Sequence, residues 1–107
     1  MDLKPISPFF TVSPQLSARD VGVAASAGFK AIINNRPDNE GDDQPASAEL
    51  EAAAKASGLD YRHIPVKPGQ ISDADIAAFT DAMNEVTGPV LAFCRPGTRP
   101  ASLWALS

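Results

Sequence analysis

The chain has 107 residues, 44% of them hydrophobic and 21% charged, with a formal net charge of −4. That length supplies one domain at most, spanning 1–107, and the apolar share excludes disorder, while no run approaches the ~18 apolar residues of a membrane span. The acidic balance opposes nucleic-acid binding, which needs a basic face, and a single cysteine excludes both an internal disulfide and a cysteine-rich zinc site.

Met1-Asp2-Leu3-Lys4-Pro5 shows no basic patch followed by an apolar run, so no secretory leader is expected and the cytoplasm is the expected location. With one His and one Cys, a metal site would need carboxylates, and none cluster at ligand spacing, so neither metal nor cofactor is expected.

In chain order, Phe9–Val12 reads as a strand. A first helix is predicted to start at Ser17, capped with help from Asp20, and to stop at Gly28. Phe29–Asn34 reads as the next strand. The polar stretch Asn34–Pro45 follows; it is a candidate wall of a ligand pocket, or equally a solvated connector. Ala46–Ser57 is predicted as a weakly amphipathic second helix closed by Gly58, and Asp60–Val66 as a strand.

The third helix is the clearest. Ser72 and Asp75 form a capping-box pair, and Ile76, Phe79, Met83 and Val86 share one face, read as core packing. Gly88-Pro89 ends it, Val90–Phe93 is a continuous apolar strand, and a fourth helix begins near Thr98–Ala101 and runs to Ser107. Strands alternating with helices predict an α/β fold, a mostly parallel sheet of four or five strands flanked by helices. The fourth helix, short and carrying Leu103, Trp104 and Leu106, predicts either further chain or a partner over that face, and hence a homodimer or marginal stability. Trp104 itself is read as core.

The most informative segment is Phe93-Cys94-Arg95-Pro96-Gly97-Thr98-Arg99-Pro100. The sole cysteine ends a buried strand beside a glycine turn that opens a helix. Amides of such a turn converge on an anion, the helix N-terminus adds positive potential, and Arg95 and Arg99 are close in sequence. These conditions lower a thiol pKa and make a nucleophile of Cys94. The alternative, an inert buried cysteine, is the commoner fate of the residue type, but the strand–loop–helix placement and the two arginines favour function. Gly97, Thr98, Arg95 and Arg99 are candidate oxyanion ligands, the planar guanidinium of Arg99 in two-pronged fashion. Arg36 is a further candidate at the same edge; an ion pair with Asp38 or Glu40 is slightly preferred for it. His63 is read as a structural, hydrogen-bonded histidine.

The loop resembles that of cysteine-dependent phosphatases and rhodaneses. Nearly the whole chain resembles the bacterial phosphatase-like family of the beta-lactamase hydrolase-like proteins (DUF442). Val12–Ser17, Ala27–Lys30, Ile33–Asp38, Tyr61–Val66 and Cys94–Arg99 match in the family's order. The resemblance implies a dual-specificity-phosphatase-like fold and a small anionic substrate: thiosulfate, a persulfide or a phosphate ester. It also implies a possible fused or partner persulfide-oxidising hydrolase.

Phosphatases of this fold place five residues between Cys and Arg; here four separate Cys94 from Arg99, as in the rhodanese type. An acidic residue commonly follows the strand matching Tyr61–Val66 in dual-specificity phosphatases, to protonate the leaving group. Lys67-Pro68-Gly69 stands there instead, and Asp73 and Asp75 look committed to a helix start. Lys67 would favour an anionic donor, or is simply a solvated loop lysine. The expectation is therefore a rhodanese-type sulfurtransferase carrying a persulfide on Cys94, with a phosphocysteine phosphatase second and a non-catalytic anion-binding module third. Two departures weaken any catalytic reading. Pro96 replaces the family's usual Ser or Thr and removes one loop N–H, and Pro100 replaces a hydroxyl that usually supports the thiolate.

Overall fold

The computed structural model describes residues 1–107 as five strands and four helices in one α/β unit. The strands are β1 (Lys4–Ser7), β2 (Phe10–Ser13), β3 (Ala31–Asn34), β4 (Asp60–His63) and β5 (Val90–Phe93). The helices are α1 (Ala18–Ser26), α2 (Ser47–Ala56), α3 (Asp73–Glu85) and α4 (Thr98–Leu106). Sheet order is β1-β2-β5-β3-β4. All pairings are parallel except β1 with β2, so the mostly parallel sheet expected from strand–helix alternation is what forms.

The strands that form the middle of the sheet are apolar on both faces because both are covered. Phe10, Val12, Ala31, Ile33, Val90 and Ala92 meet Phe79 and Ala82 of α3 and Leu103 of α4 on one side. Ile32, Leu91 and Phe93 meet Val21 and Ala24 of α1 and Leu50 and Ala54 of α2 on the other. Each fully buried Leu, Ile, Val or Phe side chain contributes roughly 1.5–3 kcal/mol through apolar burial. Phe10 anchors the α3–α4 side, edge-on to Phe79 at 5.5 Å and stacked on Trp104 at 4.8 Å.

Helix starts follow the predicted caps. Ser17 Oγ accepts from the Asp20 N–H at 3.1 Å while Asp20 accepts from the Ser17 N–H at 2.9 Å; Ser72 and Asp75 repeat the exchange at 3.1 and 3.0 Å. Gly28 and Gly58 carry the left-handed conformations (φ 98° and 76°) that stop α1 and α2. For α2 the cap comes from afar: Asp38 accepts from the Ser47 N–H at 2.7 Å.

Several elements differ from the sequence reading. Strand β1 was not expected; it is solvent-exposed and contains Pro5, which an edge strand tolerates because its missing N–H need not pair inward. Phe9 lies outside β2 and is 64% exposed, β3 starts at Ala31 rather than Phe29, and β4 ends at His63 rather than Val66. Past His63 the backbone instead donates to the β3 terminus, from Ile64 to the Asn34 carbonyl and from Val66 to the Asn35 carbonyl. Trp104 is not core: it lies over Phe10 but stays 36% exposed. Leu103 turns inward, so the three α4 residues do not share one open face; Leu106 is 59% exposed. No helix is long and apolar enough to cross a membrane.

Candidate active site

The site forms where parallel strands end. In the register, Asn34 of β3 and Ser13 of β2 both lie opposite Phe93 of β5, so the chain beyond each strand leaves the sheet at one level. Ligand crevices of open α/β sheets lie at this edge. The Gln15 N–H donates to the Arg95 carbonyl at 3.2 Å and the Asn35 N–H to the Phe93 carbonyl at 2.9 Å, clamping the loop after β5 from both sides.

Cys94 is fully buried at the end of β5. Its Sγ accepts from the Gly97 N–H at 3.1 Å, so the sulfur sits inside the turn that opens α4. Gly97 is the residue before α4 and takes φ 90°, with no side-chain cap on the helix. The first-turn amides of Thr98 and Arg99 have no partner within the helix and add to the positive potential there. Pro100 is buried in that first turn, where a missing N–H costs the helix nothing.

Arg99 lies beneath the loop with its side chain only 7% exposed. Nη1 donates to Glu40 Oε2 at 2.8 Å and to the Val66 carbonyl at 2.9 Å; Nη2 donates to Glu40 Oε1 at 2.8 Å. Burial pulls against its charged form, but the hydrogen bond to Glu40 and the interaction with Cys94 outweigh it and hold the cation above its ordinary range. Three of the five guanidinium N–H groups are thus taken. The two left, on Nε and Nη2, form the parallel pair that can recognise an oxyanion. Arg99 also shares a hydrogen bond with Cys94, so an anion bound there would lie between the guanidinium and the sulfur.

Arg36 does not join the anion ligands. Nε donates to Glu40 Oε1 at 3.0 Å and Nη1 to Gln15 Oε1 at 2.9 Å, with the side chain 4% exposed. The ion-pair alternative is the observed one, with Glu40 rather than Asp38, which instead caps α2. Arg95 and Thr98 are exposed and, with Glu40, Pro68, Gly69, Pro96 and Arg99, line a polar cavity of about 300 Å³. Arg95 therefore stands on the cavity wall while Cys94 is buried. Lys67 is exposed one residue outside the lining, its carbonyl accepting from the Gln70 N–H in a turn. His63 Nε2 bonds the Arg36 carbonyl at 2.9 Å, the structural role expected. Asp75 is spent on its cap and Asp73 lies in the same first turn.

Two residues in this assembly escaped the sequence reading. Glu40 entered only as a potential partner of Arg36; its carboxyl is held below the ordinary value, first by the hydrogen bond from Arg99 and then by Arg36, against the opposing effect of burial. Asn35 directly follows β3, one residue past the Asn34–Phe93 pair; its side chain donates to the Ile64 carbonyl at 2.8 Å. The Asn34–Pro45 stretch is a pocket wall, as Glu40 shows, and an ordered one: Gly41 N–H donates to Gln44, and Gln44 to the Pro37 carbonyl.

The model of the beta-lactamase hydrolase-like proteins' phosphatase-like domain matches residues 2–107. The chain belongs to this family. A beta-lactamase hydrolase-like protein of Agrobacterium fabrum is 44% identical over 96 residues, 90% of this chain and 22% of its own length. One from Xylella fastidiosa (strain Temecula1) is 45% identical over 83 residues, 78% of this chain and 19% of its own. The chain thus spans about one fifth of the curated relatives it matches.

Among solved structures, a protein of Neisseria meningitidis assigned as a phosphatase superposes with TM-score 0.85 at 36% identity, covering 94% of this chain and 71% of that one. A DUF442 protein of Shewanella putrefaciens, similarly assigned, gives 0.86 at 25%, covering 97% and 68%. TpbA of Pseudomonas aeruginosa, solved in complex with pTyr, gives 0.68 at 19%, covering 96% and 59%, a likeness of fold. The phosphatase-like architecture expected from the resemblance is therefore the one found, and the cysteine sits in a phosphatase-like family. These comparisons back the phosphatase expectation better than the sulfurtransferase one.

Proposed function

We propose that the chain is a cysteine-dependent phosphatase. The observation that supports this best is the donor arrangement around Cys94: a sulfur receiving the Gly97 N–H at the start of α4 and hydrogen-bonded to Arg99, whose guanidinium edge not held by Glu40 and Val66 can turn to an oxyanion. Cys94 Sγ attacks phosphorus, the S–P bond forms as the P–O bond to the leaving group breaks, and Arg99 with the loop amides holds the spreading charge on the phosphoryl oxygens. Water then attacks the phosphocysteine, releasing inorganic phosphate and the thiolate.

Glu40 is the only carboxylate lining the polar cavity, and two arginines keep it ionised. It is a poor proton donor, so the leaving oxygen must depart with a proton from water or none. Substrates with stable leaving groups, such as aryl or acyl phosphates, suit that site. The same feature, together with the four-residue spacing of Cys94 and Arg99, favours sulfur transfer as a second reading, since sulfite and thiolates leave without a proton. Turnover of an aryl phosphate, measured beside thiocyanate formation from thiosulfate and cyanide, separates the two. Phosphate release abolished in Cys94→Ser is the expected result; thiocyanate release alone, lost in the same variant, replaces it with the second reading.

A further inference from the structure

Glu40 occupies an unusual position for an acidic residue in an anion site. One carboxylate accepts from both Nη atoms of Arg99 and from Nε of Arg36, and it lines the cavity an oxyanion would enter. By charge alone it opposes substrate. Its geometry argues the contrary. Glu40 takes the outer edge of the Arg99 guanidinium, Nη1 with Nη2, and the Val66 carbonyl takes the other Nη1 hydrogen. An oxyanion at Cys94 uses the remaining edge, Nε with Nη2, and need not displace Glu40.

We propose, resting on the oxyanion-handling reading above, that Glu40 is the positioning residue of the site, fixing Arg99 so that its other edge is turned toward Cys94 and the substrate. Arg36 is the second member of the device. It is pinned to Gln15, and Gln15 donates to the Arg95 carbonyl, so Glu40 is tied through Arg36 back to the catalytic loop itself. Without Glu40, a long arginine side chain would have to be ordered at the moment of binding, a cost that appears directly as lost affinity. A glutamine cannot replace it, because its NH2 group would face the guanidinium donors.

The two roles predict opposite signs. Removing a carboxylate that merely competes for Arg99 tightens anion binding; removing one that orders Arg99 weakens it. Inorganic sulfate, whose charge does not change with pH in the working range, is the probe, titrated calorimetrically into the whole chain at pH 7. Glu40→Gln is expected to raise the sulfate Kd about tenfold, although the variant is one unit more positive. Glu40→Asp should recover part of the loss, and Arg36→Met should show a weakening of about threefold. Thermal unfolding reports whether each variant folds, and Arg36→Met carries the test if the glutamine variant does not. Unchanged or tighter sulfate binding in Glu40→Gln overturns the proposal, as does a failure of the unaltered chain to bind sulfate. Sulfate binding without aryl phosphate turnover sinks only the phosphatase reading; turnover with a glutamine variant of unaltered sulfate affinity sinks only this one.

Discussion

Gly97 lies so close to Ser13 that a Cβ at position 97 would sit 3.0 Å from both the carbonyl carbon and the carbonyl oxygen of Ser13. The neighbour is backbone at the end of β2 and cannot swing aside. The φ of 90° at Gly97 is also one that side-chain-bearing residues rarely adopt. Gly97→Ala is therefore expected to cost about 2 kcal/mol of stability, from left-handed strain and the contact together. Because the Gly97 N–H is the donor to Cys94 Sγ, the same change should slow thiol alkylation at neutral pH. Urea unfolding and iodoacetamide kinetics read the two effects. Wild-type values in both would mean that the turn does not hold the sulfur.

The architecture was legible because its signals are local. Ser17–Asp20 and Ser72–Asp75 write their helix starts in four residues each, and both capping boxes form. Cys94 and Arg99 were legible for the same reason, lying within one strand–turn–helix junction. What the sequence could not display is pairing across distance. Glu40 is fifty-nine residues from Arg99, and only the parallel alignment of β3 with β5 brings their loops together. Arg36 could be placed at the right edge, but whether it faced substrate or a carboxylate depended on where Glu40 and Gln15 lay. β1 was hidden because an exposed edge strand with a proline carries neither alternation nor an apolar run. Trp104 was misplaced because a large aromatic on a short helix can cover a core residue from outside.

Arg99 should prove the most sensitive position for both stability and binding. Its truncation leaves the Val66 carbonyl without a donor and Glu40 with Arg36 alone. Breaking a buried pair by removing one member costs up to 3–5 kcal/mol; the partial exposure of Glu40 and its surviving partner reduce this to about 2–3 kcal/mol for Arg99→Ala. Arg99→Lys should restore much of the stability and little of the sulfate affinity, since one ammonium cannot span both Glu40 oxygens and an anion. A lysine variant binding sulfate like the parent would show that charge, not the planar fork, is what the site uses.

Stability should decline on the acid side in a window set by Glu40. Its native pKa lies below the ordinary 4.5, owing first to the Arg99 hydrogen bond. As pH falls past that ordinary value, the unfolded chain takes up a proton that the folded one refuses, so unfolding becomes easier until the native carboxyl is protonated too. Asp60, lowered first by its hydrogen bond from Arg62, acts in the same direction from 3.8 downward. Denaturant titrations are expected to show a plateau for these groups above about pH 5.5 and a fall below about pH 4.5. Glu40→Gln should flatten part of that fall; an unchanged slope would mean that Glu40 is as acidic in the unfolded chain as in the folded one.

Pro96 offers a test in which affinity and stability move apart. It stands exposed between Arg95 and Gly97, lines the polar cavity, and carries no N–H where the loop's other residues present one. Pro96→Ser returns a donor to the anion cup, and one added hydrogen bond of about 1 kcal/mol corresponds to roughly fivefold tighter sulfate binding. The same substitution loosens the unfolded chain and should cost about 0.4–1 kcal/mol of stability. The expected variant therefore binds better and melts lower. Were binding to weaken along with melting temperature, the amide at 96 would point away from the anion, and the fixed φ of proline would be what keeps the cup in shape.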